Sequence, residues 1–444
     1  MAHPVVVVGA GPIGLAAAAE LAERDIDVVV LERGAAPAAA VSAWGHVRLF
    51  SSWSELVAPA GRRLLAARGW ECPAGDRYPT GAEWVSEYLE PLAAALGPRV
   101  RTGAEVVGAA RSGRDRLVDD GRDREPLTVH VRLADGREER LTARGLVDAS
   151  GTWATPNPVG GDGLPALGEA AAADRIDYRV PDVGADAGRY AGRHVAVVGS
   201  GHSALTALVG LASLADDAPG TTVTWVLRRG VIGDTFGGGT ADQLPARGAL
   251  GQRARRAVEA GRVRVVTGFR TSAVQAQPDG RLALVADDGR DLGDVDRVVA
   301  LTGLRPDLSW LSELRLELDP TLQAPVRLAP MIDPNVHSCG SVRPHGVAEL
   351  AHPEPGVYLA GMKSYGRAPT FLAMTGYEQV RSIAAAVAGD RASAERVELV
   401  LPESGVCGGS GGYDGDAAGG DGGCCGPSRS APEFVELTRL AGPR

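Results

Sequence analysis

Lysine is nearly absent from this chain: Lys363 is the only one in 444 residues. Cysteine is scarce as well, and its positions are Cys72, Cys339, Cys407, Cys424 and Cys425. Five unevenly spaced cysteines cannot form a disulfide framework for a chain of this length, so a disulfide-stapled fold is excluded. Because arginine carries almost all of the basic charge, the single lysine is a candidate for a specific role.

The sequence also lacks a cluster of basic residues and a long uninterrupted apolar run. Its formal net charge is -9, whereas binding to nucleic-acid phosphates requires clustered basic side chains. No basic segment precedes Val5, and Glu20, Glu23 and Arg24 interrupt the alanine-rich stretch that follows. We therefore expect a cytoplasmic protein without nucleic-acid binding, signal peptide or membrane-spanning helix.

A repeated pattern dominates the rest of the chain. It consists of a valine-rich strand, a glycine-rich turn, a helix of small residues and a second strand that ends in a charged residue. One copy begins at Val5 and the other at His194. Between them lie an alternating, charged stretch typical of hairpin strands, Arg111 to Glu139, and a Pro/Gly-rich connection, Pro156 to Asp186. The pattern predicts an α/β fold with two Rossmann-like dinucleotide-binding domains.

After the second copy the chain returns to a strand at Gly356 to Ala360 and a helix from about Pro369 to Ala388, so we expect the second domain to be inserted into the first. The predicted bounds are residues 1–160 and 320–395 for the first domain and 161–319 for the second. A C-terminal extension follows at 396–444. Its Gly/Cys-rich segment, 402–431, cannot bury enough apolar surface to fold alone.

The first copy carries the motif Gly9-Ala10-Gly11-Pro12-Ile13-Gly14 between its strand and its helix. Gly9 allows the tight turn, Gly11 lets backbone N–H groups approach a pyrophosphate, and Gly14 permits close packing of helix on strand. The next strand ends at Glu32, whose carboxylate can accept hydrogen bonds from an adenosine ribose. With strand, helix and acidic residue all in place, the context favours a dinucleotide site over chance glycines.

The second copy carries Gly199-Ser200-Gly201-His202-Ser203-Ala204, and its next strand ends in Arg228-Arg229. A guanidinium at this position can bind a 2′-phosphate bidentately, which favours NADPH over NADH. The alternative is that both arginines are solvated loop charges. His202, at the start of a helix, is interpreted as a positioning or packing residue rather than a catalytic base.

Two further segments, 146–153 (LVDASGTW) and 298–306 (VVALTGLRP), are apolar strands that run into a small-residue–Gly turn. They resemble the ATG-type motifs of flavoproteins with two dinucleotide-binding domains. Together with 44–50 (WGHVRLF) and 78–81 (YPTG), they make the chain resemble the class B flavin monooxygenases from about Val5 to Ala388. The segment 361–371 and the arginine-rich proline loop near Pro245 are most similar to flavin monooxygenase-type proteins of bacterial arsenic-resistance operons.

The resemblance implies FAD in the first domain and NADPH in the second. The residues implied for FAD are Gly9, Gly11, Pro12, Ile13, Gly14, Glu32, Arg33, Arg48, Ser51, Ser150, Gly151, Gly361, Met362 and Thr370. Those implied for NADPH are Gly199, Gly201, His202, Ser203, Ala204, Arg228, Arg229 and Gly303. Arg48 and Ser51 are expected near the ribityl chain or the flavin ring.

Lys363 and Arg48 are the candidate catalytic residues. Lys363 lies in the implied flavin-contacting turn, before a helix that we expect Pro369 to open. A helix N-terminus and a positive charge at this point would stabilise the negative charge of reduced flavin. The alternative is an exposed lysine without a partner.

Two departures from related flavoproteins bear on the chemistry. The FxGxxxHxxxW fingerprint of class B monooxygenases should precede the second glycine motif, but residues 176–182 read IDYRVPD. Disulfide reductases carry a CxxC or CxxxxC pair beside the flavin, and no cysteines of this chain have that spacing. The sequence therefore excludes the usual thioredoxin-reductase chemistry, and Cys72 and Cys339 are interpreted as small buried hydrophobes.

Three cysteines lie in the glycine-rich tail: Cys407, Cys424 and Cys425. Three thiolates on a flexible segment could bind trivalent arsenic, which prefers sulfur ligands. The alternative is a linker with incidental cysteines.

The function hypothesis is an NADPH-dependent FAD oxidoreductase, a monooxygenase that transfers oxygen from O₂ to a soft nucleophile such as a trivalent (organo)arsenical. One alternative is an NADPH-dependent reductase that passes electrons from flavin to the tail thiols or a metalloid. Another is a non-enzymatic flavin-binding protein that sequesters or senses a metalloid. The expected partners are therefore a small-molecule or metalloid substrate and O₂, and a homodimer is an oligomeric form that the sequence allows.

Overall fold

The computed structural model describes residues 3–242, 244–336, 342–369 and 371–399. The strands of these residues are, in chain order, β1 (Val5–Val8), β2 (Val28–Leu31), β3 (Val100–Arg101), β4 (Ala104–Arg111), β5 (Leu127–Leu133), β6 (Glu138–Ala143), β7 (Gly145–Asp148), β8 (Ile176–Asp177), β9 (His194–Val198), β10 (Thr222–Val226), β11 (Val263–Val266), β12 (Thr271–Ala276), β13 (Leu282–Ala286), β14 (Asp291–Val295), β15 (Arg297–Ala300) and β16 (Val357–Leu359).

The α-helices are α1 (Pro12–Ala22), α2 (Ala39–Ser42), α3 (Trp53–Leu56), α4 (Pro59–Ala66), α5 (Gly81–Trp84), α6 (Glu90–Leu96), α7 (Ala187–Tyr190), α8 (His202–Asp217), α9 (Pro245–Glu259), α10 (Ala329–Ile332), α11 (Val347–Leu350), α12 (Ala373–Val387) and α13 (Arg391–Glu395). Short 3₁₀ helices occur at Gly97–Arg99, Arg122–Arg124, Ala170–Arg175, Gly233–Phe236, Gly239–Ala241, Ser309–Leu311 and Gly361–Tyr365, and a π-helical turn at Val85–Leu89. None of the described helices is long and apolar enough to cross a membrane.

The first large sheet is five-stranded and parallel, in the order β16-β7-β1-β2-β3. All four valines of β1 are buried because both faces of the sheet are covered. Helices α1 and α12 cover one face, and the antiparallel sheet β4-β5-β6 packs on the other. The glycine motif at positions 9–14 therefore follows the central strand of a doubly covered parallel sheet.

The second large sheet is also five-stranded and parallel, in the order β11-β10-β9-β15-β8. Helices α8 and α9 cover one face, and the antiparallel sheet β12-β13-β14 covers the other. The two large sheets thus share one plan, since β9, β10, β11 and β15 take the places of β1, β2, β3 and β7. Strand β16 returns to the first sheet, so the second Rossmann-like fold is inserted into the first, as the sequence predicts.

Two chain segments connect the folds, and they pair with each other. Pro156 and Leu304 form an antiparallel bridge, flanked by hydrogen bonds from Asn157 N to Gly303 O (2.9 Å) and from Arg305 N to Thr155 O (2.9 Å). Soon after this crossing the chain contacts the second fold, where Leu167 bridges to Ala273 of β12. The domain bounds given above stay predictions.

A buried ion cluster secures the return to β16. Glu354 accepts hydrogen bonds from Arg111 Nε at 2.6 Å and from an Arg122 terminal nitrogen at 2.8 Å, and these side chains are at most 5% exposed. The backbone N–H of Arg315 also donates to Glu354, at 2.9 Å. The cluster ties the loop between β4 and β5 to the segment that leads into β16.

Several local predictions are wrong or incomplete. The helix expected to open at Pro369 begins at Ala373, so the proline precedes it without occupying its first turn. The expected loop near Pro245 is helix α9, with Pro245 in its first turn, where its missing N–H costs nothing. Of the expected hairpin stretch 111–139, the residues between β4 and β5 form no strand.

Candidate functional site

The first glycine turn has the geometry that a dinucleotide pyrophosphate requires. Gly9 has a φ of +98°, and a Cβ on Gly14 would lie 1.8 Å from the Gly9 carbonyl oxygen. Gly11, in contrast, borders open space, because a Cβ there would meet no atom within 4 Å. The space beside Gly11 faces the N-terminus of α1, whose first turn holds no acidic residue. An anionic pyrophosphate fits this space and the helix dipole.

Glu32 is held rigidly beside that turn. Its carboxylate accepts hydrogen bonds from Ala10 N at 2.8 Å and from Gly34 N at 2.7 Å. Each carboxylate oxygen has more than one acceptor position, so the ribose hydroxyls of an adenosine still have acceptors here. Arg33, the next residue, is exposed.

Lys363 lies in a buried polar cluster beneath the first glycine turn. Its Nζ lies 3.1 Å from Asp148 Oδ2 and donates to Ser150 Oγ at 2.9 Å. Ser150 Oγ in turn donates to Asp148 Oδ1 at 2.6 Å. The Lys363 and Asp148 side chains are 1% and 0% exposed, so the exposed lysine considered above is excluded. The Ser150 backbone N–H also donates to Asp148 Oδ1, at 3.0 Å, so both donors of Ser150 bind this carboxylate and fix the turn before Gly151.

The turn at Gly361 packs directly on the first glycine motif. Gly361 has a φ of +67°, and a Cβ there would lie 2.9 Å from Ile13 Cγ1. Its N–H donates to Gln379 Oε1 at 2.7 Å, which fixes the turn that carries half-buried Met362. Ile13, Gly361 and Met362 are thereby brought together. Thr370, also implied for FAD, lies outside the described residues.

Arg48 and Ser51 lie on the segment that follows α2. Arg48 bridges to Thr80, donates to the Tyr78 carbonyl and lies 3.7 Å from Glu83 Oε2. Its side chain is 60% exposed, and Ser51 is half-buried. The structure therefore joins the segments 44–50 and 78–81 that carry the resemblance, while the roles of Arg48 and Ser51 stay predictions.

The second glycine turn repeats the first. Gly199 has a φ of +131°, and a Cβ there would lie 2.2 Å from Leu301 O, whereas one on Gly201 would meet nothing within 4 Å. Ala204 is fully buried where the helix packs on the strand, and Ser203 is exposed. Gly303 has a φ of +100° and lies on the crossing beside Asn157. The space beside Gly201 fits a second pyrophosphate.

His202 lies at the contact between the two folds. Burial, reinforced by the positive charge of Arg247, lowers the pKa of His202 to about 4, so the ring is neutral at neutral pH. Phe50, from the first fold, contacts this ring edge-on with centroids 5.4 Å apart. The ring is therefore packed and neutral, and the positioning role of His202 stays a prediction.

Arg228 and Arg229 follow β10, at the place where Glu32 follows β2. Arg228 is exposed and donates to Gly161 O at 3.4 Å, and Arg229 is half-buried. Their position fits recognition of a 2′-phosphate, which remains a proposal.

Asp148 and Phe50 are the residues of this region that sequence reasoning missed. A signal for Asp148 was present, since a carboxylate ends an otherwise apolar strand in a chain with a single lysine. Phe50 lies in the segment 44–50 that carries the resemblance, but its contact with His202 had no sequence signal, because only the folded chain brings the two together. Cys72 is half-buried rather than buried, while Cys339 and the tail cysteines lie outside the described residues. Within the described part of the chain, no group of three or more His, Cys, Asp or Glu side chains could hold a metal ion.

The two folds and their glycine turns define a protein with two dinucleotide sites. A family model described as pyridine nucleotide-disulphide oxidoreductase matches residues 3–354, and the chain belongs to this family. It is accordingly a flavin-dependent oxidoreductase, and its cofactors are FAD and NAD(P)H.

Among curated proteins, the chain is 34% identical over 202 residues to indole-3-pyruvate monooxygenase YUCCA1 of Oryza sativa subsp. japonica. The match covers 45% of this chain and 43% of that protein, so it spans less than half of the relative.

Two solved structures illustrate the shared fold. Bacillithiol disulfide reductase Bdr (YpdA) from Bacillus cereus superposes with a TM-score of 0.64 at 20% identity, covering 88% of this chain and 99% of that one. DfoA, the FAD-bound cadaverine monooxygenase from Erwinia amylovora, superposes with a TM-score of 0.62 at 14% identity, covering 92% of this chain and 99% of that one. The fold thus accommodates both a disulfide reductase and a monooxygenase.

Proposed function

We propose that the protein is an NADPH-dependent flavin monooxygenase that transfers one oxygen atom from O₂ to a soft nucleophile, such as a trivalent (organo)arsenical. The observation that carries the proposal is the combination of two dinucleotide sites with no CxxC or CxxxxC pair anywhere in the sequence. Electrons that reach the flavin have no such dithiol through which to leave. Oxygen is then the acceptor that requires no further protein group.

The reaction balances with NADPH as the reductant. NADPH, a proton, O₂ and the substrate give NADP⁺, water and the substrate carrying one added oxygen atom. FAD supplies the two-electron chemistry that allows O₂ to react with a closed-shell substrate. The protein binds the FAD pyrophosphate beside Gly11 and the NADPH pyrophosphate beside Gly201, and it holds the turns at Ser150 and Gly361 in place.

Two groups are proposed to act near the flavin. Lys363 would act from beneath the Ser150 turn, with its charge balanced by Asp148, and Arg48 would act from the exposed side. Neither is proposed as a general base. Arg228 and Arg229 are proposed to select NADPH through its 2′-phosphate.

The arsenical substrate is proposed from the tail cysteines and from the resemblance to arsenic-operon proteins. Trivalent arsenic prefers thiolates, and Cys407, Cys424 and Cys425 could collect it for oxidation. The relationship to YUCCA1, a monooxygenase that acts on indole-3-pyruvate, supports oxygen transfer as the class of reaction.

The second candidate is an NADPH-dependent reductase that passes electrons from flavin to tail thiols or a metalloid. The likeness of the fold to a bacillithiol disulfide reductase favours this alternative. The non-enzymatic alternative, a flavoprotein that sequesters or senses a metalloid, does not fit membership of the chain in a family of oxidoreductases.

Oxygen consumption separates the monooxygenase from the reductase. The full chain with FAD is supplied with NADPH and a trivalent arsenical, and O₂ uptake, NADPH oxidation and arsenic speciation are followed together. We expect O₂ and NADPH to be consumed in equal amounts with the oxidised arsenical, and no turnover without O₂. Sustained anaerobic NADPH oxidation would instead establish the reductase.

A further inference from the structure

A cavity of about 420 Å³ lies on the second fold, outside both glycine turns. The loop from Phe236 to Thr240 forms one wall, and Gln252, Arg255 and Arg256 of α9 form the other. We propose that this cavity is a binding site for a phosphate monoester.

The loop that forms the first wall is built tightly onto the helix. A Cβ on Gly248 would lie 2.1 Å from Gly239 O, and one on Gly251 would lie 1.8 Å from Phe236 O. Glycine at these two helical positions, normally a cost of about 1 kcal/mol each relative to alanine, is what lets the loop backbone touch α9. The ion pair of Asp242 and Arg247, 2.8 Å apart and at most 5% exposed, secures the end of the loop.

The arginines of the second wall suit an anion. Arg255 and Arg256 are exposed, and neither pairs with a carboxylate of the described residues. The guanidinium of Arg255 lies over the Phe236 ring, 5.2 Å from its centroid, which restricts the motion of the side chain. Two guanidinium groups on one helix face present several N–H donors and a charge near +2, and a phosphate dianion matches both. Thr240 and Gln252 add a hydroxyl and an amide to the same cavity.

The position of the cavity connects it to the second glycine turn. Phe236 packs against Trp225 with centroids 5.6 Å apart, and Trp225 Nε1 donates to Gly199 O at 2.7 Å. The charges of Arg247 and Asp242 also act on His202. A phosphate in the cavity can therefore come from either of two sources. One is a separate phosphorylated ligand. The other is the 2′-phosphate of NADPH, in which case Arg255 and Arg256 take the place of Arg228 and Arg229 as its partners.

The experiment uses the full chain with FAD and two probes, adenosine 2′,5′-bisphosphate and inorganic phosphate, with 5′-AMP as the probe that lacks the 2′-phosphate. Binding is measured calorimetrically for the parent, for the double variant Arg255→Ala/Arg256→Ala and for Arg253→Ala. Arg253 is an exposed arginine of the same helix that does not line the cavity, so it controls for the loss of surface charge.

We expect the double variant to bind one of the phosphate probes about tenfold to hundredfold more weakly, as loss of charged hydrogen bonds predicts, and Arg253→Ala to bind it like the parent. A selective loss for the bisphosphate, with 5′-AMP unaffected, assigns the cavity to NADPH. A loss for inorganic phosphate with unchanged bisphosphate binding assigns it to a separate ligand. Unchanged binding of both probes by the double variant, or an equal loss in Arg253→Ala, overturns the proposal.

If the cavity binds the 2′-phosphate of NADPH, the inference rests on the proposed preference for NADPH. The parent's affinities for NADPH and NADH, measured alongside, keep the two questions apart. If the parent protein does not prefer NADPH to NADH but still binds phosphate through Arg255 and Arg256, only the proposed use of NADPH is refuted.

Discussion

Lys363 and Asp148 form a buried ion pair, 3.1 Å apart, between the turn at Gly361 and the strand that ends beneath the Gly9 turn. Breaking a buried pair on one side leaves an uncompensated charge, so Lys363→Met should lower the free energy of unfolding by about 3–5 kcal/mol. Asp148→Asn/Lys363→Met removes both charges and should recover much of that loss. Denaturation followed by tryptophan fluorescence measures both, and a double variant as unstable as the single one would contradict the pairing.

The same pair predicts opposite changes in the FAD reduction potential. Lys363→Met leaves the negative charge of Asp148 at the turn that is proposed to face the flavin, and it should lower the potential because reduction adds negative charge to the flavin. Asp148→Asn leaves the positive charge of Lys363 and should raise it. Spectroelectrochemical titration of the two single variants and the double variant tests this. Potentials equal to that of the parent in all three would leave the pair with a structural role alone.

Coenzyme preference should depend on Arg228. Arg228→Ala removes the charged hydrogen bond proposed to reach the 2′-phosphate. Such a bond is worth about 1.5–3 kcal/mol, so the NADPH kcat/KM should fall roughly tenfold to hundredfold. NADH lacks that phosphate, so its kcat/KM should stay unchanged. Stopped-flow reduction of the flavin by each coenzyme gives the ratio. An unaltered ratio of the two efficiencies would show that Arg228 does not bind the 2′-phosphate.

The cluster around Glu354 should make stability fall in acid. Burial alone would raise the pKa of Glu354, but hydrogen bonds from Arg111 and Arg122 outweigh it and the pKa is lowered. The unfolded chain therefore takes up a proton at higher pH than the folded one, so this contribution is complete above the ordinary glutamate pKa and disappears as the pH falls through the folded value.

Glu354→Gln tests the cluster directly. It leaves two buried guanidinium groups without their carboxylate and should cost about 3–5 kcal/mol at pH 7, with a weaker dependence on pH below 5. Glu259→Gln, at an exposed position of α9, is the matched control and should behave like the parent. Unfolding midpoints measured from pH 3.5 to 7 give both slopes, and parallel slopes in the two variants would contradict the assignment.

The tail cysteines provide the test of the substrate. Replacing Cys407, Cys424 and Cys425 with Ser should leave basal NADPH oxidation intact but abolish its stimulation by low concentrations of trivalent arsenic. Arsenic binding to the parent should weaken as pH falls, because thiolates are the ligands and they become protonated. Equilibrium dialysis and NADPH oxidation report the two effects. A triple variant that binds and responds like the parent would return these cysteines to an incidental role.

Local signals in the sequence predict the two Rossmann-like folds well. The valine strands and the glycine motifs fall where the structure has β1, β9, α1 and α8, because a buried parallel strand and a phosphate turn each impose their own residue pattern. The sheet β12-β13-β14 was not predicted, although the Asp-Gly pairs at 279–280 and 288–289 are hairpin signals. The predicted start of α12 at Pro369 is wrong because proline is favoured at the first helical position but does not require a helix to begin there.

The contacts that complete the site could not be read from the sequence. Ser150 and Lys363 are 213 positions apart, and only the return of β16 to the first sheet brings them within 2.9 Å. The stack of Phe50 on His202 likewise depends on how the two folds meet. Local patterns describe elements, whereas such pairs depend on tertiary packing between distant segments.

The paired crossing at Pro156 and Leu304 has a mechanical consequence. Two separate linkers would allow the inserted fold to swivel and tilt about either strand independently. Here the strands are bonded to each other on both sides of the bridge, and Arg305 Nε also donates to Asn157 Oδ1 at 2.7 Å. The inserted fold is therefore carried on a single two-stranded ribbon, and any reorientation that brings the coenzyme turn at Gly201 toward the flavin side must bend both strands together.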